Sequence, residues 1–205
     1  MKPNRLEAFS DGVFAIIITI MVLEFRPTAE NAPAALVAMA PNVGAYLLSF
    51  IIVGVHWLSH HRLIDQVETV TPGFLWANLA LLFWLSLVPF ATANMGHHQW
   101  SGFAIVMYMA IIVCCSLALF MMRVMAPAIA KAGATRDAQT ATVRLSAIIV
   151  TLQAATTVLA YFFPKAALFL MAGFAVLGIS MTFRGTGLFT RAPSAGREPE
   201  GPAIT

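Results

Sequence analysis

Charge is what this chain has least of: only 10% of its 205 residues are Asp, Glu, Lys or Arg, against 60% hydrophobic. Soluble domains run near 25% charged, and water does not tolerate the apolar surface the remainder would expose. The net charge of +3 is small and scattered, which excludes the basic face of a nucleic-acid binder. Cysteine is nearly absent too. The two present, Cys114 and Cys115, adjoin in an apolar run. Adjacent cysteines meet disulfide geometry poorly, so they are expected as buried apolar side chains and not as a redox pair. The sequence has no glycine-rich nucleotide loop, Gly-x-Ser-x-Gly elbow or His-Glu-x-x-His pair. No enzyme is therefore expected, and no cofactor.

What is present is long uncharged runs. A hydrocarbon core of about 30 Å takes roughly 20 apolar residues of helix. The stretch between Glu30 and Arg62 is free of formal charge and holds one span. From Thr69 to Met122 there is room for two, with Asn94-Met95-Gly96-His97-His98-Gln99 as the turn between them. Leu145 to Pro164 and Ala166 to Phe183 supply two more, and Arg5 to Phe25 the sixth. The reading is an all-α membrane protein of six transmembrane helices, roughly 4–25, 34–58, 71–94, 100–123, 142–163 and 166–184. Residues 1–190 would form the membrane domain, and 191–205, rich in Pro and Gly, a disordered tail. The first segment carries an acid in its first half and lacks a small-residue cleavage pattern, so it is not expected to be a signal peptide. With the N-terminus cytoplasmic, ten of the twelve Lys and Arg residues fall inside, leaving only Arg26 and Lys165 outside. Both termini are therefore expected in the cytoplasm.

The first helix holds the chemistry. Its uncharged run from Gly12 to Leu23 spans only about 18 Å at 1.5 Å per residue. Crossing the bilayer thus draws Asp11, Glu24 or both to the headgroup boundary, where an ionisable group needs a partner or water. Asp11 either meets such a partner or simply caps the helix start. Ile16, Thr19, Ile20 and Leu23 fall on one narrow stripe, with Asp11 roughly 130° away at about 100° per residue. A branched-aliphatic stripe can be packing, lipid contact or a pore wall, and spacing leaves all three open.

Arg5, Phe9, Ser10 and Asp11, followed by Gly12-Val13-Phe14-Ala15-Ile16 and Ile18-Thr19, resemble the signature first helix of the transmembrane protein 175 family, the endolysosomal potassium channels and their prokaryotic homologues. The resemblance implies a homotetrameric, potassium-permeable channel in a lipid bilayer, with the first helices around a central pore and no Thr-Val-Gly-Tyr-Gly filter loop. It makes Ile16 the constriction, Thr19 a hydroxyl layer one turn on, and Ile20 and Leu23 further apolar rings. Such a ring gates by excluding water, and modest preference for K⁺ over Na⁺ follows from the threonine oxygens. K⁺ would be the permeant ion, with no resident metal. Small size without internal duplication fits a prokaryotic plasma membrane.

The second span ends His56-Trp57-Leu58-Ser59-His60-His61-Arg62. His56 and His60, four apart, have metal-ligand spacing, but no further motif completes a ligand set on that side. The favoured reading is a hydrogen-bond network in which Trp57 or a histidine, with Asn78 of the third span, satisfies Asp11. Arg5 is expected to reach another helix or subunit, or to anchor the interface. Trp76, Trp84, Trp100 and Tyr108 read as an interfacial aromatic belt. The rival function is a proton- or sodium-coupled secondary transporter using Asp11.

Overall fold

The computed structural model describes residues 2–25, 37–130 and 136–186; Arg26, Glu30, Lys131 and the tail 191–205 lie outside them. Seven α-helices and one 3₁₀ turn account for nearly all of these residues: α1 (Pro3–Leu23), α2 (Ala40–Asp65), α3 (Pro72–Ser86), α4 (Val88–His97), α5 (Gly102–Met125), the 3₁₀ turn Ala126–Ile129, α6 (Arg136–Phe162) and α7 (Pro164–Thr186). The described chain is all-α apart from one isolated bridge, Val67 with Ala130.

Local chemistry explains the ends. Proline stands in the first turn of α1, α2, α3 and α4, where its missing N–H has no partner to lose. The Thr71 and Ser101 hydroxyls accept the Phe74 and Ala104 amides, 3.4 Å each, and so cap α3 and α5. α3 and α4 are one span broken at Leu87. Pro89 cannot donate to Leu85, and the chain tightens there so that the Leu87 amide bonds the Trp84 carbonyl instead. The following turn places Gln99 and Trp100 at φ 47° and 61°.

Five segments among the described residues are long and apolar enough to cross a membrane: α1, α2, α3 with α4, α5 with its 3₁₀ turn, and residues 139–162 of α6. α7 adds a shorter apolar stretch, Pro164–Ser180. α5 sits at the centre of the bundle, packed on α3, α4 and α6, while α1 lies across α2, α3 and α4 and α7 closes against α2. Large apolar side chains such as Trp76, Phe83, Phe103 and Phe169 point outward. In water that surface would aggregate; in lipid it is the solvated face. The protein is an integral membrane protein.

Tyr108 departs from the aromatic-belt reading. It is wholly buried in the second turn of α5, with its hydroxyl 2.9 Å from Ser49. Ser49 donates to the Ala45 carbonyl at 2.8 Å, and its lone pairs receive Tyr108 and Thr92, the latter at 2.7 Å. A phenol this deep needs its polar end satisfied, and a serine and a threonine on α2 and α4 do that. Cys115 is buried and Cys114 partly so, both free.

Candidate functional site

α1 has two dissimilar faces. Leu6, Ser10, Phe14, Ile17 and Met21 are its buried residues, spaced three and four apart and hence on one side. The first half of that side is polar. The Ser10 hydroxyl donates to the Leu6 carbonyl at 2.9 Å and accepts the Asn78 amide at 3.1 Å. Asn78 Oδ1 in turn accepts His60 Nε2 at 2.7 Å, so that nitrogen carries a proton. One buried asparagine thus ties α1, α2 and α3 together.

Flanking this relay, the Trp57 indole donates to Asp11 Oδ1 at 2.9 Å. The carboxylate is thereby satisfied within its own chain. Trp57 also stacks on His61, centroids 5.7 Å apart and planes 20° apart, and His61 Nδ1 lies 2.9 Å from Glu7 Oε1. Glu7, Ser10 and Asp11 therefore each meet α2 or α3. Beyond them the anchoring becomes apolar, with Phe14 against the His60 ring at 5.6 Å.

His56 stands outside this arrangement and corrects its place in the network. Its Nδ1 is 2.8 Å from the Ile52 carbonyl and its Nε2 3.3 Å from Ser116 of α5. Four residues is one turn plus about 40°, enough to aim His56 at α5 while His60 meets α3. Arg5 and Phe9 lie on the exposed side of α1.

Glu7 and the Ser49–Thr92–Tyr108 cluster went unread in the sequence. Glu7 carried a signal, since it precedes Asp11 by four residues and so points to a similar side of the helix. The hydroxyl cluster carried none, its members being 43 and 59 positions apart.

The opposite face of α1 is bare. Ile16 is 57% exposed, Ile20 42% and Leu23 75%, and Thr19 is exposed with them. The Thr19 hydroxyl donates to its own backbone, 3.0 Å from both the Ala15 and Ile16 carbonyls. That leaves its lone pairs directed away from the helix. Beside the stripe an open cleft of about 620 Å³ runs between α1 and the α3–α4 break, lined by Ile16, Ile20, Glu24, Ser86, Phe90 and Asn94 among others.

The family model described as endosomal/lysosomal potassium channel TMEM175 matches residues 5–89. A protein named as a potassium channel from Chryseobacterium sp. is 54% identical over 96 residues, covering 47% of this chain and 50% of that protein. The human protein named endosomal/lysosomal proton channel TMEM175 is 34% identical over 118 residues, 51% of this chain and 22% of its own length. The chain thus spans about half the length of the bacterial relatives it matches. The crystal structure titled as a lysosomal potassium-selective channel TMEM175 homolog from Chamaesiphon minutus superposes with a TM-score of 0.80 at 25% identity, covering 88% of this chain and 97% of that one. These relatives are named as ion channels, not enzymes.

Proposed function

This chain is a homologue of the TMEM175 family, and on that premise we propose that it forms a potassium-permeable cation channel whose pore is lined by α1. The observation that carries the reading is the division of α1 into an anchored face and a bare one. The bare stripe of Ile16, Thr19, Ile20 and Leu23 encloses nothing by itself; copies of α1 around a closed symmetry axis turn each residue into a ring. Four copies give a homotetramer with Ile16 as the narrow apolar ring.

At such a ring water is excluded, and passage follows partial dehydration. Thr19, one turn on, offers oxygen lone pairs freed by its backbone hydrogen bond. A layer of hydroxyls replaces lost water for K⁺ more readily than for the more tightly hydrated Na⁺, so selectivity is modest. Both termini sit in the cytoplasm, following the distribution of Lys and Arg, and the membrane is a prokaryotic plasma membrane. Asp11 is held by Trp57 and faces away from the stripe, which favours a passive pore over a carrier that loads protons on that carboxylate.

Planar-bilayer recording of the purified protein in asymmetric K⁺ and Na⁺ tests the reading. A reversal potential displaced toward that of K⁺ is expected, with flux in either direction. Ile16→Asn is expected to raise K⁺ flux severalfold and bring the K⁺/Na⁺ ratio toward unity; unchanged currents would remove Ile16 from the constriction. Strict dependence of flux on protons would favour the transporter.

A further inference from the structure

We propose that Glu7, His61 and Asp65 form a divalent transition-metal site at the end of the bundle where α1 begins. His61 and Asp65 are four apart on the last turns of α2 and share a face; Glu7 approaches from the second turn of α1. His61 Nδ1 lies 2.9 Å from Glu7 Oε1, and its Nε2 lies 3.7 Å from Asp65 Oδ2. One donor atom from each residue falls within 4.8 Å of the other two. A metal bonded at about 2.0–2.2 Å holds its ligands roughly 3–4 Å apart, so side-chain rotation alone closes the set.

Two further features single out this cluster. The first is that His61 Nδ1 is covered yet has no hydrogen bond of good angle among the described residues, despite its closeness to the Glu7 carboxylate. A ring nitrogen beside a carboxylate but not aligned for a proton is placed to share a cation with it. The second is the support behind the ring. Trp57 stacks on His61 and is itself pinned by Asp11, so the orientation of the imidazole plane is restricted.

One imidazole nitrogen, two carboxylates and room for water suit Mn²⁺, Fe²⁺, Co²⁺ or Zn²⁺. They are too few oxygens for Ca²⁺, which takes six to eight. Occupancy would clamp α1 to α2 one turn from Asp11.

Mn²⁺ is the probe to use, because the His97–His98 pair at the other end of the bundle competes better for softer ions. The full chain, stripped of metal in detergent, is titrated with Mn²⁺ and the free-ion paramagnetic resonance signal followed. One ion per chain is expected to disappear from that signal at submillimolar Mn²⁺, with a rise in the thermal unfolding temperature. Glu7→Gln and Asp65→Asn are each expected to weaken uptake by about tenfold or more, and His97→Asn with His98→Asn to leave it unchanged. No submillimolar uptake by the unaltered chain, or equal uptake by Asp65→Asn, overturns the proposal. Asp65 is exposed, so that variant decides the matter even where Glu7→Gln fails to fold.

Discussion

Asn78 is the residue on which three helices meet. Its amide serves Ser10 of α1 and its carbonyl serves His60 of α2, at 3.1 and 2.7 Å, with all three fully buried. Removing it strands the buried His60 Nε2–H, at about 1–3 kcal/mol for an unsatisfied group, and takes from Ser10 the amide it accepts, although its own bond to the Leu6 carbonyl remains. Asn78→Ala is therefore expected to lower the thermal unfolding midpoint in detergent markedly. Trp57→Phe is expected to lower it less. It keeps the ring over His61 and removes only the indole N–H to Asp11, whose carboxylate is partly exposed and can turn to water. Equal losses in the two variants would mean that the asparagine relay is no more than an ordinary contact. Part of this cluster was legible beforehand: an acid in a short apolar helix requires a partner, and the donors at the end of the second span were few. Which donor took it was not legible. Trp57 and His60 are three apart and both face α1 or its neighbour, and only the depth of packing assigns the indole to Asp11 and the imidazole to Asn78.

Among the elements, α4 and α7 each come close to α2 at a glycine. A Cβ at Gly96 of α4 would stand 2.9 Å from the Asn42 Cα, a backbone atom that cannot swing aside. At Gly178 of α7 it would meet a Val55 methyl at 2.6 Å, which rotation about the valine side chain relieves in part. At Gly173 it would meet nothing within 4 Å. The expected order of destabilisation on substitution by alanine is Gly96, then Gly178, then Gly173. The first should cost about 1–3 kcal/mol, the range of overpacking, and the last nothing or a slight gain from helix propensity. Thermal unfolding of the three variants checks it, and a Gly96→Ala protein as stable as the parent would show that α2 and α4 can part there freely. The break between α3 and α4 was legible, since Pro89 inside an apolar run announces it. The contact of Gly96 with Asn42 was not, because no local pattern says which helix a glycine will face.

For the whole molecule the decisive feature is how little of α1 the rest of the chain covers. Leu23, 75% exposed on α1, and Val158, 67% exposed on α6, are equally bare in the single chain. They differ in what the proposed assembly does with them: Leu23 approaches its copies around the axis, and Val158, on the outlying helix, meets lipid. In a Cys114→Ala, Cys115→Ala background, Leu23→Cys is expected to give covalent dimers on mild oxidation in membranes, and Val158→Cys to remain monomeric on a denaturing gel. Dimers from Val158→Cys and none from Leu23→Cys would turn the assembly inside out.

The all-helical, apolar build belongs to the sequence alone, because hydrocarbon thickness sets how many consecutive uncharged residues a crossing takes; of the six spans expected, five are long enough to cross and the last, Pro164–Ser180, is shorter among the described residues. The same holds for the starts at proline, serine and threonine, and for the identity of the helix that carries Ser10, Asp11 and Thr19. These are local properties, readable within a turn or two. The tertiary structure alone decided that His56 turns to Ser116 while His60 turns to Asn78, that Tyr108 is buried against Ser49, and that Glu7, His61 and Asp65 converge. Each depends on the rotation and depth of one apolar helix against another. Helices apolar on every side do not encode that in their own periodicity; it follows from how their side chains interlock.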